Sequence, residues 1–271
     1  MSTLNYEDKP TLDYQGPLNP QEVERTRHNS EKTLFIVCVI FSALIAFALL
    51  FTIIYLPIIV AFVFISLYNL NARTRANAVK VSEKNFPEIY KKSVEFASKL
   101  GIREVPAVYV EQQSGVLNAF ASAIVGKQYI AINAEIVDVA YTEGKDFDPV
   151  YFVLAHEFAH HHFKNTSIFR VFVRFFSFFV PVIGTAHSRS MEFSCDRLAQ
   201  LLTEKDCARE AMLLSAGRHL YGLVDLDDYL RNARTEGGFF LWMANLISTH
   251  PVPLKRIPAL ADPNKESGRL F

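Results

Sequence analysis

From Leu34 to Tyr68 the chain runs through 35 positions without a charged residue, most of them Ile, Leu, Val, Phe and Ala. No other feature restricts the fold as strongly. A helix crosses a bilayer with roughly 20 apolar residues, and tilting absorbs only a few more. The run therefore exceeds one crossing and suits two short spans. Tyr55-Leu56-Pro57 is the natural turn between them, because proline lacks a backbone donor and disfavours helix at the residue before it. Arg25, Arg27 and Lys32 precede the run, and Arg73, Arg75, Lys80 and Lys84 follow it. Basic flanks on both sides predict that both ends stay in the cytoplasm, which is hairpin geometry. A single tilted helix would instead put the flanks on opposite sides. A cleaved signal peptide does not fit, since the run is too long and starts beyond residue 30.

Around this run the organisation reads as three parts. Residues 1–32 are polar and aperiodic and are expected to form a tail without fixed structure. Residues 33–70 form the transmembrane helical hairpin. Residues 71–271 form one further domain. Within it, apolar residues at helical spacing predict a helix from Ala76 to Leu100, ended by Gly101 as a C-cap. Val105 to Val110 reads as a strand, followed by strand-like runs from Leu117 to Val125 and from Gln128 to Asn133 around a turn at Gly126-Lys127. These three predict a small antiparallel sheet. Asp148-Pro149 opens a helix, with Asp as N-cap and Pro at the first helical position, that continues to about Phe163. The remainder reads as helical, so the expected class is α+β. Acidic and basic residues balance at 28 each, which gives no basic excess for nucleic acid. Three cysteines, Cys38, Cys195 and Cys207, make a poor disulfide framework.

The chemistry concentrates in His156-Glu157-Phe158-Ala159-His160. Histidines four apart on a helix leave the same face one turn apart. Two imidazoles so placed can reach one tetrahedral Zn²⁺ at about 2.0–2.1 Å. Glu157 is turned roughly 100° from His156 around the axis, where it can take a proton from a water activated at the metal. Such a site needs a third protein ligand. Downstream, Glu192 and Asp196 are also four apart. Glu192 can supply the third ligand, leaving the fourth position open, and Asp196 can accept a hydrogen bond from a ligand histidine and fix its tautomer. An ordinary solvated acidic face is the competing reading of that pair.

Taken in order, Phe86-Pro87-Glu88-Ile89-Tyr90, Val105 to Val110, Asn118-Ala119-Phe120-Ala121, His156-Glu157-x-x-His160, Glu192-x-x-x-Asp196, His250-Pro251 and Arg256-Ile257 resemble the HtpX and CaaX-prenyl-protease group of membrane gluzincins, metallopeptidase family 48. The resemblance implies a zincin-like, mostly helical domain with one Zn²⁺ per chain held by His156, His160 and Glu192. It implies Glu157 as general base and His250 as oxyanion stabiliser, although His250 can also be read as a cap residue before Pro251. It places Asn118, Ala119 and Phe120 on an edge strand that binds substrate backbone. Arg189 or Arg256 is expected to pair with acidic groups near the site. Cys195 stands where the family carries a small Ala, and it reads as a buried small residue. His161 and His162 point to other faces of the helix and read as non-ligands. Asn165-Thr166-Ser167 matches a glycosylation sequon, which a cytoplasmic position makes irrelevant.

Between the two motifs, residues 168–184 are rich in Phe, interrupted by Arg170, Arg174 and Pro181. The apolar part after Arg174 is too short to span. It is expected to be a helical hairpin dipping into the membrane interface, with both arginines reaching lipid headgroups; a buried core helix is the alternative. Phe239 to Met243 either joins that surface or is a core helix. The resulting expectation is an integral membrane zinc endopeptidase of a bacterial inner membrane, its catalytic domain facing the cytoplasm. It would cut membrane or membrane-proximal proteins in quality control or maturation. The alternative is a non-catalytic zinc-binding chaperone or interaction module. Expected partners are a protein or peptide substrate and the lipid bilayer.

Overall fold

The computed structural model describes residues 18–50, 55–112, 119–124, 127–142, 146–165, 167–177 and 180–262. Helix α1 (Pro20–Arg25) begins at Asn19, whose side chain caps the Gln21 N–H. Helix α2 (Glu31–Leu50) is long and apolar enough to cross a membrane. Helix α3 (Tyr55–Asn77) is apolar in its first half. Tyr55-Leu56-Pro57 is thus the first turn of α3, and residues 51–54 lie outside the described residues. Proline is tolerated in a first turn because its missing N–H would have no intrahelical partner there.

The helix expected from Ala76 to Leu100 is two elements. After α3 ends, β1 (Val79–Lys80) pairs with a neighbouring strand, and Phe86 takes a left-handed conformation (φ 61°) before α4 (Pro87–Lys99). Pro87 explains the restart, since it is preorganised for a helix's first position and excludes helix at the residue before it. Gly101 (φ 64°) closes α4: its N–H donates to Ser98 O at 3.0 Å and that of Ile102 to Ala97 O at 2.8 Å, the paired bonds of a Schellman cap.

Strands β2 (Ala107–Glu111), β3 (Ala119–Ile124) and β4 (Lys127–Asn133) complete a sheet of order β1-β2-β4-β3. The sheet is mixed, not antiparallel as expected, because β2 and β4 run parallel, with Ala107 opposite Tyr129 and Glu111 opposite Asn133. The physical reason lies in β4. Tyr129, Ile130, Ala131 and Ile132 are all buried, so both faces of β4 are covered and it takes an inner position. That leaves β3 at the sheet's end, antiparallel to β4.

Helix α5 (Ala134–Thr142) leads to α6 (Asp148–His162), which carries the histidine motif. The Asp148 N–H is held by Asp146 Oδ1 at 3.0 Å, and the Asp148 carboxylate pairs with Lys205 instead of capping. From Val150 to Ala159 every residue of α6 except Tyr151 is buried. It packs against β3, β4, α4 and α5, and most extensively against α8. The stretch 168–184 holds α7 (Ile168–Ser177) and the first turn of α8 (Pro181–Thr203), and α7 and α8 both lie against α2. Arg170 does not reach outward to headgroups. Its guanidinium lies 4.4 Å over the Phe35 ring and 3.8 Å from the buried Glu31 carboxylate, because a buried carboxylate needs a counter-charge. The side chain of Arg174 is outside the description. Short helices α9 (Ala208–Ala211) and α10 (Leu213–Ala216) are followed by α11 (Leu226–Thr235), α12 (Phe239–Ile247) and α13 (Pro253–Ala261). On α12, Phe239, Phe240 and Ile247 are exposed, so it is not a core helix.

The segment preceding α2 is not a loose tail over residues 18–31. The Leu18 N–H donates to Lys99 O at 2.8 Å, and the His28 N–H donates to Ser194 Oγ at 2.9 Å. Arg27 lies 4.4 Å over the Phe163 ring, and Val23 is buried in the main core. This strap ties the chain ahead of the apolar run to the domain that follows it.

Candidate active site

The site forms where α6 meets α8. On α6, His156 and His160 project together, with ring centroids 4.8 Å apart and Nε2 atoms 3.2 Å apart. From α8, Glu192 reaches in, with Oε2 3.3 Å from His156 Nε2 and Oε1 3.4 Å from His160 Nε2. One donor atom from each of the three lies within 4.8 Å of the others, so the three could hold a single metal ion.

The surrounding groups set the state of these donors. His156 Nδ1 is 2.8 Å from Asp196 Oδ1, donating to that carboxylate, and its Nε2 faces the cluster. Burial alone would lower the His156 imidazole, but the hydrogen bonds of Asp196 and Glu192 raise it to about 9. Burial would raise the Glu192 carboxyl, but His160 and His156 hold it well below the usual carboxylate range. Asp196 is likewise lowered: burial opposes this, and the Arg256 charge overcomes it. Arg256 therefore pairs with Asp196, as one of the two expected arginines.

Glu157 is buried, and its Oε2 has no hydrogen-bond partner. Burial raises its carboxyl above the usual value, against the opposing pull of His160 and His156. An orphaned, buried carboxylate oxygen beside a donor cluster leaves room for a further hydrogen-bond partner.

Arg189 is fully buried, and it donates to Leu246 O at 2.8 Å and Ser248 O at 2.7 Å. It thereby fixes the end of α12 and the segment entering His250. His250 is mostly exposed, with Nε2 3.6 Å from Glu192 Oε1, so the structure brings it to the rim of the cluster. Ala119 and Phe120 lie on the terminal strand β3, whose packing partner is α6; Asn118 lies outside the described residues. Cys195 is buried, and burial with the surrounding carboxylates pushes its thiol well above its ordinary value, which disfavours the thiolate a metal requires. All three cysteines are free and buried. His161 and His162 stand outside the cluster, and burial lowers His161 to about 4.

Two participants carry no recognisable sequence signal. Asn165, read only as part of a sequon, is buried, with Nδ2 3.2 Å from His160 Nδ1. Glu31, at the start of the apolar helix, is buried against Ser194, between Glu192 and Asp196 on α8. Pairing across 163 positions of chain has no local pattern to betray it.

A histidine pair and a glutamate from two packed helices around one point, with a second buried glutamate beside them, could form a metal site. The chain belongs to peptidase family M48, whose model matches residues 83–264, well over half its length. Comparisons with curated proteins and with solved structures return no match. Family membership makes the protein a metallopeptidase, with protein or peptide as its class of substrate.

Proposed function

We propose that the protein is a membrane-anchored zinc endopeptidase acting on membrane or membrane-proximal proteins, in their quality control or maturation. The observation that carries the reading is the buried Glu157 carboxylate, with Oε2 unpartnered, beside the three convergent donors. Two imidazoles and one carboxylate are a donor set suited to a single catalytic zinc with an open position. His156, His160 and Glu192 would hold it. The ion would supply Lewis-acid polarisation of a scissile carbonyl. Glu157 takes the proton of the attacking water and passes it to the leaving amine, and its raised carboxyl is closer to the pH at which such transfer is efficient. Asp196, braced by Arg256, keeps His156 in the metal-binding tautomer. His250, at the rim, donates to the developing oxyanion. The edge of β3 turned away from β4, at Ala119 and Phe120 and last in the sheet among the described residues, accepts a substrate backbone as an added strand.

Membrane anchoring is supported by the length and apolarity of α2 and by the strap. Chain before α2 and chain after α3 meet in one folded body, and an apolar run that enters a membrane between them would return to the side it left. That favours a hairpin of two spans over one. Basic flanks favour the cytoplasmic side, which suits a bacterial inner membrane. The test is degradation of an unfolded protein such as casein by the purified full-length chain. Cleavage is expected to stop with a chelator and resume with zinc; an absence of metal-dependent cleavage overturns the proposal.

A further inference from the structure

Helix α12 is built inside out for a helix that faces water. Its nine residues, Phe239–Ile247, carry no charge. Five large apolar side chains on it are exposed, with Phe240 at 77%, Ile247 at 66% and Phe239 at 64%. The exposed rings lie on one another: Phe239 is 5.5 Å from Phe240 and 5.8 Å from Trp242. Polar contacts fasten the other side. Asn245 is fully buried, and its Oδ1 accepts from the Val252 N–H at 3.3 Å. Leu246 O accepts from Thr185 Oγ1 at 2.6 Å and from Arg189 Nη1 at 2.8 Å, both on α8. A helix at a water boundary has the opposite arrangement, apolar toward the core and polar outward. Clustered exposed apolar groups mark a surface that meets something other than water.

Helix α8 relates the depth of α12 to that of α2. The Ile183 carbonyl lies 3.9 Å from Cys38 Sγ, and the His187 ring lies 5.5 Å from the Phe35 ring. Thr185 stands midway between Ile183 and His187, so it is level with the stretch from Phe35 to Cys38. That stretch is the very start of the charge-free run that begins at Leu34. Leu246, held by Thr185, therefore sits at the depth where α2 becomes apolar. Trp242 is one helical turn from Leu246, about 6 Å along the axis. At the same level Ile36 and Ile40 on α2 and Val182 on α8 are exposed. A bilayer boundary that crosses α2 here also crosses α12. Phe and Trp are the side chains suited to that boundary, where an apolar ring meets acyl chain beside wet headgroups.

We propose that α12 is a lipid-binding helix, with Phe239, Phe240 and Trp242 seated in the shallow acyl region of the leaflet that α2 enters. This inference rests on the reading of α2 as a membrane span. It bears on substrate choice as well. Arg189 ties the carbonyls of Leu246 and Ser248 to α8, and His250 follows directly. The rim of the donor cluster is thus supplied by chain that leaves a lipid-seated helix, and polypeptide lying at the lipid–water boundary is the substrate presented to it.

Trp242 is the only tryptophan in the chain, so its fluorescence reports on α12 alone. The experiment reconstitutes the full-length protein into vesicles of phosphatidylglycerol and phosphatidylcholine. The phosphatidylcholine carries bromine either near the headgroup end or near the methyl end of its acyl chains, and bromine quenches only at short range. The expected result is a loss of Trp242 emission that is larger with the shallow bromines than with the deep ones. Trp242→Phe combined with Ile247→Trp moves the reporter to the other end of the exposed surface and is expected to give the same order. In protein that floats with the vesicles, quenching that is absent, or no stronger from shallow bromines, overturns this inference alone. Acrylamide then identifies the true neighbour: strong quenching means water, and weak quenching means protein, whether a second copy or a bound chain. Failure of the chain to float with the vesicles after a high-salt wash sinks the membrane-span reading, and this inference falls with it.

Discussion

Arg256 holds Asp196 by both carboxylate oxygens, Nε to Oδ2 at 2.8 Å and Nη2 to Oδ1 at 2.6 Å. Asp196 in turn holds His156, so a residue on α13 orients a donor on α6 through a carboxylate on α8. A lysine ammonium cannot reproduce the planar two-point contact. Arg256→Gln leaves the buried Asp196 charge without its partner and is expected to cost on the order of 3 kcal/mol of stability. Thermal unfolding in micelles reads this, and Arg256→Lys is expected to fall between the two. A wild-type melting curve for Arg256→Gln would falsify the bracing role.

Glu157→Gln separates holding the metal from using it. Glutamine fills the same space but cannot take a proton. Cleavage is expected to fall by about 10²–10⁴-fold, while zinc content, measured by elemental analysis, stays at the wild-type level. Loss of zinc in this variant would assign Glu157 to the ligand set instead.

Arg189→Met tests how His250 is placed. Methionine keeps much of the volume but frees the carbonyls of Leu246 and Ser248. His250 then loses the anchor of the segment before it. The expected result is a kcat lowered by up to about 100-fold with unchanged zinc content. His250→Ala added to Arg189→Met is expected to cost little more. Full additivity of the two substitutions would separate Arg189 from His250.

The strap predicts a topology. Gln21 and Glu236 are exposed, on opposite sides of the apolar run in sequence. In a chain with its native cysteines replaced, Gln21→Cys and Glu236→Cys are expected to react alike with a membrane-impermeant maleimide, in both inside-out and right-side-out vesicles. Opposite labelling of the two positions would leave the hairpin untenable.

The parts of this molecule written in short-range pattern are legible without coordinates. His156 and His160 are one helical turn apart, Glu192 and Asp196 likewise, Gly101 ends α4, and Pro149 opens α6; each signal fits within a few residues. What fails is written in long-range contact. The parallel pairing of β2 with β4 follows from burial on both faces of β4, which a run of alternating residues does not declare. The break between α3 and α4 escapes because helical spacing of apolar residues persists across β1. Asn165 and Glu31 are polar residues whose partners lie on other elements.

The strap also sets an order of assembly. The first described residues of the chain, from Leu18 to Glu31, meet Lys99 early in synthesis but find Phe163 and Ser194 only after more than half of the chain exists. Closing so long a loop is an entropic cost met late, and contacts of high sequence separation form slowly. During synthesis, the histidine pair emerges before Glu192, Asp196 and Arg256. A chain made in this order has no complete set of the three convergent donors until α8 has been synthesised.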